Sequence, residues 1–99
     1  MDLKKGLMLL VQDHIEEQER DPQMLRLPEI AALLDGNSAE GVHGELLPES
    51  AVQLIMARLK ELGLLEKAES CLEKLEENTL LEETSLYAIM VDLGAMDWE

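Results

Sequence analysis

"ESAVQLIMARLKELGLLEK", residues 49–67, is the stretch on which the fold turns. Val52, Ile55, Leu59 and Leu62 recur at steps of three and four, with Met56 beside them. That spacing predicts a helix with one buried stripe. Pro48 and Glu49 suit its first turn. The missing proline N–H costs nothing there, and the carboxylate meets the positive end of the helix dipole. Gly63 is the expected cap, with Leu64 folding back on the last turn. With the stripe inward, Ser50, Gln53, Leu54, Ala57 and Glu61 face out, Arg58 flanks them, and Lys60 lies toward the other flank.

The rest of the chain predicts more helices of the same kind. Leu3, Leu7, Leu10, Val11, His14 and Ile15 mark a first helix over residues 2–19, which Arg20, Asp21 and Pro22 end. Pro28 and Glu29 open a second, of about two turns, with Ile30, Leu33 and Leu34 buried and Gly36 as its cap. Residues 36–47, "GNSAEGVHGELL", hold three glycines and little periodicity, and read as a long loop with room for a short strand or helical turn. Ala68, Cys71, Leu72 and Leu75 predict a fourth helix ending near Asn78. Thr79 to Glu82 fits a capping box. Leu86, Ile89, Met90 and Leu93, closed by Gly94, are read as a fifth helix, with a strand over "SLYAIMVDL" as the alternative.

Composition agrees. The 99 residues are 46% apolar, with six Met, one Trp, one Tyr and no Phe. Leu, Met, Ala and Glu favour helix, and β-branched residues are few. A chain this size buries about two-thirds of its unfolded surface, so one domain over residues 1–99 is expected, with 94–99 as a tail that is either loose or docked. The fold class is mostly α, with four to five helices.

Charge bounds the function. Twenty-two Asp and Glu face eight Lys and Arg, for a net −14. Nucleic acid and anionic membrane are repelled over most of such a surface. Cys71 is the one cysteine, so no intrachain disulfide forms, which fits a reduced, cytoplasmic setting. No apolar run approaches the ~18 residues of a membrane span. The start "MDLKKGLMLLVQDH" lacks a signal peptide's cleavage site.

Residues 27–67 resemble the winged helix-turn-helix superfamily. "LPEIAALLDG" is similar to the first helix of that motif, and "SAVQLIMARLKELGLLEK" to its recognition helix and the approach to the wing. The resemblance implies a trihelical centre and, in its full form, a dimeric regulator. In that reading Gln53 and Arg58 meet bases, while Lys4, Lys5, Arg26 and Lys60 grip phosphate. The chain departs from the pattern twice. The connection from Gly36 to Leu47 is long, and Lys67 is followed by "AESCLEKLEENTLLEE", acidic and helical where a basic hairpin would stand.

The outward face of the third helix therefore favours a protein contact. Arg58 and Lys60 cancel Glu49 and Glu61, leaving the least acidic part of the chain, and interface centres are depleted in charge. Residues 66–99 carry ten acids against Lys67 and Lys74. Glu73, Glu76 and Glu77 are candidates for a basic partner, and mimicry of nucleic acid is a further reading. Met8, Leu9, Met90 and Met96 suggest an adaptable apolar surface, and the broad apolar coverage of the first helix suggests a homodimer seam with the last. His14 reads as boundary packing and His43 as a loop residue. With Cys71 they match no close ligand spacing, so no metal or cofactor is expected. No nucleophile motif or phosphate loop occurs, and carboxylate pairs such as Glu16–Glu17 read as solvated faces. The expectation is a non-catalytic adaptor or regulatory module.

Overall fold

The computed structural model describes residues 2–81 and 84–96. They form five helices, with no strand among the described residues: α1 (Leu3–Arg20), α2 (Leu27–Leu34), α3 (Pro48–Glu61), α4 (Leu65–Glu77) and α5 (Leu86–Asp92). The chain is mostly helical, and residues 85–93 take the helical alternative. The 36–47 segment is turns and bends.

The caps explain where helices stop. Asp2 accepts from the Lys4 N–H, and Ser85 Oγ accepts from the Ala88 N–H at 3.1 Å, each covering an orphan donor. Proline occupies the first turn of α2 and α3. Four helices end alike. Gly36, Gly63 and Gly94 follow α2, α3 and α5 with φ of 80°, 71° and 81°, and Thr79 follows α4 at φ 54°. Each donates to the helix two residues before its cap, while the next N–H reaches one residue deeper. After α3, Gly63 bonds Lys60 and Leu64 bonds Leu59; after α4, Thr79 bonds Glu76 and Leu80 bonds Leu75. Thr79 is thus a helix end, not the opening of a capping box. Glu82, the box's other member, lies outside the described residues.

α1 lies at the centre, packed against α3, α4 and α5, while α2 packs on α3. Leu3, Leu7, Leu10 and Val11 meet Leu27, Ile30 and Leu34, Val52, Ile55 and Leu59, Ala68 and Leu72, and Leu86, Ile89 and Met90 in one core. Thus α1 uses four of its apolar residues within the chain. Its broad apolar coverage serves several neighbours at once, leaving Leu9 exposed and Met8 half-buried. Met90 and Met96 are buried, so the proposed methionine surface does not form. Ala95 and Met96 are buried as well, so these two residues take the docked alternative; residues 97–99, with Trp98, lie outside the described residues.

The deciding stripe needs one correction. Val52, Ile55 and Leu59 are sealed from solvent, but Leu62 is 39% exposed. Leu62 is the cap residue, still αR, and stands at the very end of α3. Ala51 completes the buried stripe in its place.

Candidate interaction surface

α3 sets the geometry of its own outward face. Burying Ala51, Val52, Ile55 and Leu59 turns Gln53, Leu54, Ala57 and Glu61 into solvent, with Ser50 and Arg58 half-buried at the margins. Leu54 is 47% exposed. Leu47, the residue before Pro48, is 73% exposed. It is the N-cap of α3, extended at φ −66° and ψ 145°, and stands at the start of the helix whose outward face carries Leu54. Leu47 was missed in the sequence reading, although a signal existed. Two adjacent leucines before a helix start rarely both reach the core, because neighbouring side chains diverge. Leu46 packs there.

Arg58 is drawn off this face. Its Nε donates to the Leu34 carbonyl at 2.6 Å, and Nη1 donates to Glu61 Oε2 at 3.1 Å. Leu34 is the last residue of α2, whose final carbonyls lack helical partners and carry the negative end of the dipole. A guanidinium from α3 answers both needs. Arg26 is committed in the same way. Its Nε donates to Glu29 Oε1 at 2.9 Å, Nη1 to the Gly44 carbonyl at 2.9 Å and Nη2 to the Val42 carbonyl at 2.7 Å. It thereby holds the long loop against the start of α2. Lys4 and Lys5 on α1, and Lys60 on α3, are exposed.

α4 turns a different face outward. Ala68 and Leu72 are buried, with Cys71 and Leu75 half-buried beside them. Glu66, Glu69, Glu73, Glu76 and Glu77 are exposed. Their spacing places them along one side of the helix, so the acidic candidates form a ridge.

His14 is more deeply placed than boundary packing. It is 4% exposed, and its Nε2 lies 2.6 Å from the Leu25 carbonyl. A carbonyl only accepts, so Nε2 carries the hydrogen. The contact fixes the α1–α2 connection to the middle of α1. His43 is exposed in the loop. Among the described residues no three His, Cys, Asp or Glu side chains are grouped to hold a metal ion, and no helix is long and apolar enough to cross a membrane.

Compared with protein families, with curated proteins and with solved structures, the chain matches none.

Proposed function

We propose that the chain is a non-catalytic interaction module that docks a protein partner on the outward face of α3. One observation carries this reading. The exposed, uncharged side chains Gln53, Leu54 and Ala57 lie on the least acidic helix of a chain with net −14, and exposed Leu47 caps its start. Exposed leucines such as Leu47 and Leu54 gain apolar burial when a partner covers them. The α4 ridge, with Glu73, Glu76 and Glu77, supplies the charge that favours a basic partner and speeds its approach.

The rival is a winged-helix regulator that reads DNA through residues 50–61, and Gln53 on the outward face is what it has in its favour. Arg58 weighs against it, because leaving the Leu34 carbonyl for a base or phosphate would uncap α2. A photo-reactive amino acid in place of Leu54 tests both readings. The expected product in cells is a discrete adduct destroyed by protease and lost when Leu47→Glu is added. An adduct destroyed by nuclease, with duplex affinity falling steeply as salt rises, would overturn the module reading and establish the regulator.

A further inference from the structure

Leu47 belongs to two surfaces. Besides heading the α3 face, it lines a groove of about 410 Å³ between the end of α1, the start of α2 and residues 44–48. The groove's apolar wall is Ile15, Leu27, Pro28, Leu46, Leu47 and Pro48. Its polar members are Gln18, Glu19, Arg26 and Glu45. From these we infer that the groove receives a basic, amphipathic segment of the protein partner, an apolar side chain entering beside Leu47 while neighbouring Lys or Arg side chains meet Glu19 and Glu45. The inference rests on the α3 docking reading and extends it across Leu47.

The charges around the groove decide the class of occupant. Arg26 is its one cation among the described lining residues, and that guanidinium is already bonded to Glu29, Gly44 and Val42. The two helix N-termini that border the groove are positive ends, and each carries an acid in its first turn, Glu29 in α2 and Glu49 in α3. What remains is the pair Glu19 and Glu45, both exposed and neither within ion-pairing distance of a described cation. An anionic ligand would meet two carboxylates, whereas a cationic one would pair with them. A second copy of this chain fits poorly, because it would bring another net −14 to an acidic rim. Cations alone would not need the wall, and an apolar segment alone would not need the rim. A segment that carries both uses the whole groove.

The probe is a short fluorescent peptide alternating leucine and lysine, with a control in which every leucine is serine. Binding is read by anisotropy, and its site by methyl NMR shifts at Ile15, Leu27, Leu46 and Leu47. The expected result is shifts at those methyls, with the serine control bound at least about tenfold more weakly for want of apolar burial. Glu19→Lys with Glu45→Lys should weaken the peptide by about tenfold or more, while Asp35→Lys with Asp92→Lys, of equal charge change and outside both the groove and the α4 ridge, should move it less than about twofold. All four positions are exposed, and circular dichroism confirms that the helices persist. Equal losses from both charge pairs, equal binding of the serine control, or shifts confined to α4 would overturn the groove. So would light scattering that shows a dimer closed by Leu47. A Leu54 adduct obtained alongside a failed peptide test would leave the α3 reading standing and remove only the groove.

Discussion

Arg58 and Asn78 each donate to a main-chain carbonyl near a helix end, but over very different distances along the chain. Arg58 reaches Leu34, 24 residues back, whereas Asn78 Nδ2 bonds Lys74, four residues back, at 2.8 Å. The contrast extends to their neighbours. In the region from α1 to α3, His14 holds Leu25 and Arg26 holds Val42 and Gly44, so side chains pin the connections. In the region from α4 onward, Thr79 bonds Asn78, Thr84 bonds Leu80 and Ser85 caps α5, all within four residues. There the long-range packing comes through Leu72, Leu86, Ile89 and Met90. The outward faces differ too: exposed Leu54 on α3 with Leu47 at its N-cap, and a carboxylate ridge on α4. In the first region side-chain bonds tie the connections to distant helices, whereas Asn78, Thr79, Thr84 and Ser85 in the second bond to close chain neighbours beside an exposed acidic helix face.

The largest expected effect lies in the core that both regions share. Leu59→Ala should cost about 2–5 kcal/mol, through lost burial and the cavity left behind, and should lower the denaturant midpoint for the whole chain. A loss confined to α4 and α5 would break the view that α1 and α3 form the central contact. His14→Ala comes next, at about 2–3 kcal/mol, since it empties a buried site and leaves the Leu25 carbonyl without its donor. Native-state hydrogen exchange should then rise first in the α1–α2 connection.

Arg26→Met should cost about 1 kcal/mol, because its side chain is partly exposed and its bonds are partly replaced by water. Its clearer mark is local, as exchange and proteolysis at residues 38–45 should increase while α4 and α5 are unaffected. The smallest effect has the opposite sign. Thr79 is a β-branched residue at φ 54°, where the other three helices of this pattern place glycine. Thr79→Gly should raise stability by about 0.5–1 kcal/mol, read as a higher thermal midpoint.

Much of this architecture was legible in the sequence. Pro28 and Pro48 marked two helix starts, and Gly36, Gly63 and Gly94 marked three ends, because those residues act through local backbone geometry. The apolar spacing of α3 gave its outward face correctly at Gln53, Leu54, Ala57 and Glu61, and failed at Leu62, where the helix had already ended. The failures share a cause. Periodicity reports which side of a helix is apolar, not how many neighbours will cover it, and Met90, read as surface, is buried. The arginine ties were equally hidden. Nothing near Arg58 in sequence announces the Leu34 carbonyl, and a base-reading arginine and a helix-capping one look identical until the chain is folded.

The most direct measurement compares the two outward faces on the partner captured at Leu54. Its affinity would be determined for Leu47→Glu with Leu54→Glu, and for Glu73→Lys with Glu77→Lys, alongside the unfolding temperature of each. The leucine pair is expected to weaken binding about a hundredfold at any salt, as anchors at an interface centre do, with the unfolding temperature nearly unchanged. The glutamate pair is expected to cost about tenfold at low salt and little at high salt. Full affinity in the leucine variant would show that the partner sits elsewhere and that α3 is not the docking face.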